Sequence, residues 1–167
     1  MYDDFAPRLA QILTEYSQPI QKGDYVLITT STAAKPVVLA LYEAVLRRGG
    51  HPLVLAQFPE ISQIFMELAS EDQLDFLDPV MPFVMDKIDV MYNIMAPTNT
   101  KAMSDVDPAR TAHYQKTRRP VIEKYFQRSQ EGSLRWNICA WPTHAGAQEA
   151  EMGLLAYTRF IDEACGL

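Results

Sequence analysis

The chain is short of nearly every motif that announces chemistry on its own. It has two cysteines, Cys139 and Cys165, with no CxxC pair; that excludes a disulfide framework or a thiolate zinc knuckle and leaves two buried or half-buried thiols. No GxGxxG follows an apolar strand. The segment TTSTAAKP, residues 29–36, stands where the first strand turns into its helix, so the dinucleotide fingerprint is missing. There is no GxSxG elbow, and no serine sits beside a histidine with an obvious acid, so nucleophilic catalysis has no support. The three histidines, His51, His113 and His144, lie in unrelated segments and none belongs to an HExxH-like spacing, so no metal-ligand set is visible.

Other absences bear on partners and compartment. A formal net charge of -6, with basic residues scattered apart from Arg47-Arg48 and Arg118-Arg119, gives no footprint for a phosphate backbone and excludes nucleic acid as a partner. No apolar run approaches the roughly 20 residues that span a bilayer, and Asp3 and Asp4 stand where a secretory signal would be basic. No membrane association is expected, and the chain reads as cytoplasmic.

What is present is a regular alternation of strand and helix. With 167 residues and 48% hydrophobic content, the chain is sized for a single α/β domain, 1–167, that buries roughly 70% of the surface its unfolded form exposes. Phe5, Leu9, Ile12, Leu13 and Tyr16 recur at helical spacing after an acidic cap at Asp3 or Asp4. The continuous apolar centre of residues 25–30 predicts a strand buried on both faces. A helix follows, with Pro36 in its first turn, Val37, Leu41, Tyr42 and Val45 facing inward, and Gly49 as its stop. Residues 51–57 predict a second strand.

Residues 60–88 read as helical pieces, with Ile61, Ile64, Phe65 and Leu68 on one face and breaks at Asp78-Pro79 and Met81-Pro82. Residues 90–96 predict a third strand. Asp107-Pro108 opens a long helix to about Gln130, kinked at Pro120. The run from Trp136 to Ala140 is the fourth strand, ended by Pro142, and Thr143 caps a final helix. The expected architecture is a mainly parallel sheet with helices on both faces, Rossmann-like or flavodoxin-like. Its strands contain Val26, Val54, Met91 and Ile138.

In such sheets ligands bind beyond the C-terminal ends of the strands, which selects the candidate residues. The Ser31 and Thr32 hydroxyls at a helix N-terminus suit a carboxylate or phosphate, although helix capping alone accounts for them. Thr98 and Asn99 in the turn after strand three, and Thr143 and His144 after strand four, are candidates to line a substrate cleft. His51 reads as a strand-entry residue and His113 as a solvated helix position. Trp136, Tyr125, Phe126 and Phe160 read as core packing. Trp141 either caps the core or meets a neighbouring domain.

One set of residues, in order and spacing, carries a resemblance across nearly the whole chain. It comprises Gly23-Asp24, Pro36, Gly49 to Pro52, Asn99 and Asp107-Pro108 with Arg110. Trp136, Pro142-Thr143, Ala147-Gln148, Met152, Leu154, Tyr157, Phe160 and Ala164-Cys165 complete it. The chain resembles the N-terminal domain of the thermophilic metallo-aminopeptidase family, the aminopeptidase T and aminopeptidase S type. His144 departs from that family, whose members more often carry a small or apolar residue there.

The resemblance implies a peptidase that removes N-terminal amino acids with a two-metal site of zinc, cobalt or manganese. It places the metal ligands and catalytic groups in a following domain that this sequence lacks. No catalytic or metal residue, and no cofactor, is then expected within this chain. Its part is to support the structure, shape the cavity for a peptide substrate and contribute to a homodimer. The alternative is a stand-alone α/β module binding a small molecule or anion among Ser31, Thr32, Thr98, Asn99, Thr143 and His144. A natural stop near Leu167 would favour that module.

Overall fold

Four stretches rich in β-branched and aliphatic residues form the sheet: β1 Tyr25–Ser31, β2 His51–Gln57, β3 Val90–Met95 and β4 Arg135–Ala140. The computed structural model describes residues 4–166, and in it these strands are all parallel in the order β2-β1-β3-β4. The helices are α1 Phe5–Ile12, α2 Lys35–Arg47, α3 Pro59–Leu68, α4 Glu71–Leu74, α5 Val80–Lys87, α6 Pro108–Gln130, α7 His144–Glu149 and α8 Leu154–Ala164. Parallel neighbours need crossovers, and helices supply each of them.

Because side chains alternate across a strand, the register sorts the sheet into two faces. Ile28 pairs with Val54 and Tyr92, and Thr30 with Ile94; Ile28, Val54, Tyr92 and Ile94 join Phe5, Leu9, Val37, Leu41 and Ile161 in the largest core cluster, packed by α1, α2 and α8. On the opposite face Leu27 meets Val84, Met85, Ile88, Val121 and Leu134 from the α5 and α6 side. Helices therefore cover both faces, as the strand–helix alternation predicts.

Several local expectations hold for the stated reasons. Asp107 accepts a hydrogen bond from the Ala109 amide at 2.8 Å ahead of Pro108, and α6 runs on through Pro120. Gly49 has φ +77°, a conformation that a side chain disfavours, and it ends α2.

Other expectations are corrected. Asp4 occupies the N-cap of α1 without a side-chain capping bond and faces Arg8 instead; Asp3 lies outside the described residues. Past Ile12 the chain widens into a π turn, Leu13–Ser17, and this shift of helical phase turns Tyr16 out to 82% exposure while Thr14 is buried. Tyr42, one residue past the inward Leu41, is also exposed. Of the expected α3 face, Ile61, Ile64 and Leu68 are exposed. The helix packs through Met66 and Phe65 at its C-terminal end, against Leu74 and Tyr114. Met81-Pro82 does not break the chain, because Pro82 falls in the first turn of α5, where an amide hydrogen has no helical partner to lose.

The aromatic residues expected in the core divide. Phe126, Phe160 and Trp136 are exposed; Phe126 lies on α6, Phe160 on α8 and Trp136 on the edge strand β4. Trp136 still packs against Tyr125 at 5.6 Å between ring centroids and donates its indole N–H to Ser129 Oγ at 2.7 Å.

Candidate functional site

The C-terminal edge of the sheet is stitched by hydroxyl and amide donors. Thr30 Oγ1 donates to the Ile94 carbonyl at 2.9 Å, Ser31 Oγ to the Ala96 carbonyl at 2.6 Å, and the Trp141 amide to the Met95 carbonyl at 2.8 Å. These bonds bring the segments after β1, β3 and β4 to one edge, as the parallel order requires. They also remove Ser31 from the helix-capping role expected of it: its hydroxyl is committed to β3, and α2 opens after a short 3-10 turn, Thr32–Ala34, without a side-chain cap. Thr32 is exposed on that turn.

The turns after β3 and β4 adjoin. Asn99 Oδ1 accepts from the Lys101 amide at 2.9 Å, closing a local turn and leaving the rest of its carboxamide at the surface. Thr100 Oγ1 donates to Glu149 Oε1 at 2.6 Å, and Lys101 Nζ lies 3.2 Å from the same oxygen. The Thr100 hydrogen bond and then the Lys101 ammonium hold the Glu149 carboxyl below its ordinary value. Thr143 caps α7 by accepting from the Gly146 amide at 3.0 Å. His144, the first residue of α7, and Thr98 are exposed. Of the predicted residues, Thr98, Asn99, Thr143 and His144 thus share one rim, with no acid or base positioned by a second group among them.

Below this rim, on the α5 and α6 face, the sheet is open. A cleft of about 840 Å³ runs between α6 and the C-terminal half of the strands. Its floor includes Thr29 and Asn93, which stand in register with Ile138. Its walls are apolar, among them Met91, Met95, Met103, Ile122 and Phe126. Arg118 lines it, with Nη1 donating to Tyr114 Oη at 2.9 Å and the guanidinium carbon 5.3 Å from that ring's centroid. Sequence reasoning missed Thr29, Asn93 and Arg118, because no local pattern separates a cleft-lining strand residue from a core one.

Two further sequence readings change. His113 is not simply solvated. Its Nε2 lies 2.6 Å from Asp75 Oδ1 and its Nδ1 3.0 Å from Glu71 Oε2, clasping α4 to α6. The Asp75 hydrogen bond, reinforced by the charges of both carboxylates, raises its pKa above the ordinary 6.5. Trp141 caps the core, its ring 5.5 Å from that of Phe5. Cys139 and Cys165 are half-buried free thiols, and burial pushes Cys139 up to about 12, far from a reactive thiolate.

Among the described residues no cluster of three or more His, Cys, Asp or Glu side chains is arranged to hold a metal ion. The cluster around His113 illustrates why, since each ring nitrogen faces a different carboxylate and the donors do not converge on one point. The described residues therefore do not fit a metal centre. No helix among those described is long and apolar enough to cross a membrane.

Comparison with known proteins gives these elements a context. Residues 3–167 match the family model Peptidase_M29, described as thermophilic metalloprotease (M29). Among solved structures, wild-type AmpT from Thermus thermophilus superposes with a TM-score of 0.78 at 20% identity, over 99% of this chain and 43% of that chain. The chain thus spans less than half the length of AmpT, and at that identity the likeness shows the shared fold. A polyketide synthase domain assigned as an enoyl reductase is 17% identical over 77% of this chain and 93% of that chain, with a TM-score of only 0.34. No curated protein sequence matches. With the family model matched from residue 3 to residue 167, the chain belongs to the M29 family of thermophilic metalloproteases.

Proposed function

We propose that the chain is the non-catalytic N-terminal α/β domain of a cytoplasmic, metal-dependent aminopeptidase, shaping the substrate cavity and supporting a homodimer. The observation that carries this reading is the match of residues 3–167 to a metalloprotease family by a chain whose described residues hold no metal-ligand cluster. The fold shared with AmpT over 43% of that chain agrees with it. In this reading the divalent metal chemistry, in which a bound ion activates water, belongs to a partner domain beyond this sequence. The work left to these residues is to orient peptide and keep out larger substrates.

The rim suits that work. Pro97 to Thr100 and Pro142 to His144 emerge where ligands meet open parallel sheets, and Asn99 and Thr143 are already placed by local hydrogen bonds. In the intact enzyme, Asn99→Ala or Thr143→Val is expected to lower peptidase efficiency by about 1 to 3 kcal/mol, the scale of an orienting hydrogen bond left unpaired, at unchanged metal content. Thr143 also caps α7, which by itself carries about 1 kcal/mol of stability. Thermal unfolding measured beside the kinetics separates the two contributions. Wild-type efficiency in both variants, or loss only in proportion to unfolding, would reduce the rim to scaffold.

A further inference from the structure

The cleft under α6 has a charge pattern that a core gap does not need. The chain carries 21 acidic and 15 basic residues, yet among the described residues no Asp, Glu or Lys lines the cleft, and Arg118 is its one charged lining residue. Arg118 makes no ion pair among the described residues; its hydrogen bond to the Tyr114 hydroxyl and its position over that ring hold the guanidinium in place. A guanidinium offers five donors in a fixed fork. One bond to Tyr114 leaves an edge that suits a carboxylate.

The walls point to the rest of the ligand. Met95, Met103, Ile122, Phe126, Trp136 and Ile138 all line the cleft and are all exposed, an apolar patch that water solvates poorly. Methionine and aromatic side chains adapt to varied apolar shapes. On the floor, the Asn93 and Asn99 side chains line the space. A plain acyl chain would leave these polar groups unpaired, at a cost, whereas peptide amides can meet them. A volume of about 840 Å³ matches a ligand of a few residues.

We propose that this cleft binds short apolar peptides bearing a free C-terminal carboxylate, with Arg118 as the counter-ion and the apolar walls taking their side chains. The proposal rests on the peptidase reading only for the source of the ligand, since the binding itself requires no metal and no hydrolysis.

Calorimetric titration of the 167-residue chain with the peptide Leu-Leu-Phe, with its C-terminal amide and with decanoate tests it. The free acid is expected to bind about tenfold or more tightly than the amide, the scale of a bidentate charged contact. Arg118→Gln should bring the acid down to the level of the amide while circular dichroism and the unfolding midpoint stay unchanged. The acid-to-amide comparison on the unaltered chain decides the matter even if that variant folds poorly. Equal affinity for acid and amide, no binding of either peptide, or binding of decanoate alone would each overturn the proposal. Failure here alongside a kinetic effect of Thr143→Val beyond its loss of stability, at a rim residue outside the cleft, would discard the cleft and leave the peptidase reading standing.

Discussion

The two faces of the sheet are built to different standards. On the α1, α2 and α8 side the strand residues Val26, Ile28, Val90, Tyr92 and Ile94 are buried from one end of the sheet to the other. On the α5 and α6 side burial holds only at the N-terminal half, around Leu27, Ile88 and Leu134. It then gives way to the open cleft where Ile138 is 49% exposed. The N-terminal edge is also tied by charge, with Arg135 Nη2 2.6 Å from Asp24 Oδ2, whereas the Arg118 guanidinium near the opposite edge has no carboxylate among the described residues. One face supplies stability, and the other leaves apolar surface in water for something to cover.

The largest expected effect breaks this contrast most directly. Ile28→Ala on the closed face should cost about 2 to 5 kcal/mol, the range for emptying a packed core position. Ile138→Ala on the open face should cost about 1 kcal/mol or less, because a half-exposed side chain gains little from folding. Urea unfolding of both variants gives the comparison, and similar losses at the two positions would mean that the faces are equally structural.

Tyr92→Phe sharpens the account of the closed face. Its hydroxyl, fully buried, donates to the Gln18 carbonyl at 2.6 Å and lies 3.2 Å from that of Leu13, and burial raises its pKa well above the ordinary tyrosine value. Removal of the hydroxyl should cost about 1 to 2 kcal/mol by leaving a buried acceptor short of its donor. Urea unfolding checks this, and a loss-free variant would show that water takes over the bond.

A smaller effect belongs to the open side, where His113 clasps α4 to α6. Its folded-state pKa is raised by Asp75 and Glu71, so its contribution to stability is complete below the unfolded value of about 6.5 and fades as pH rises through the folded value. The stability difference between the wild-type chain and His113→Gln should therefore shrink from pH 5.5 to 8.5. A difference that does not change with pH would mean that the imidazole packs without titrating against the carboxylates.

How much of this was legible in the sequence follows the range of the forces involved. The strands were readable because residues such as Val26 to Ile28 form continuous apolar runs, and the Asp107 and Thr143 caps because their partners lie within three residues. The breaks were only partly readable: Asp78-Pro79 marks a true start, while Pro82 is absorbed into the first turn of α5. The exposed Ile61, Ile64 and Leu68 were misread because helical periodicity shows that a face exists and not whether another element covers it. Phase was misread at Tyr16 because a π turn leaves no residue signature. At the candidate site, the rim turns were found from strand-end logic, whereas the cleft positions of Arg118 and Thr29 and the His113 clasp depend on elements tens of residues away, and Arg118's local partner Tyr114 does not mark a cleft.

The proposed role of this chain is to provide fold and cavity walls for a metallopeptidase without holding the metal. The direct measurement is titration of the purified chain with zinc, cobalt and manganese, followed by calorimetry and by hydrolysis of an aminoacyl substrate in the same samples. The account predicts a folded protein with no stoichiometric metal binding and no turnover. One tightly bound ion per chain, with turnover that tracks the added metal and survives removal of contaminating peptidases, would contradict it.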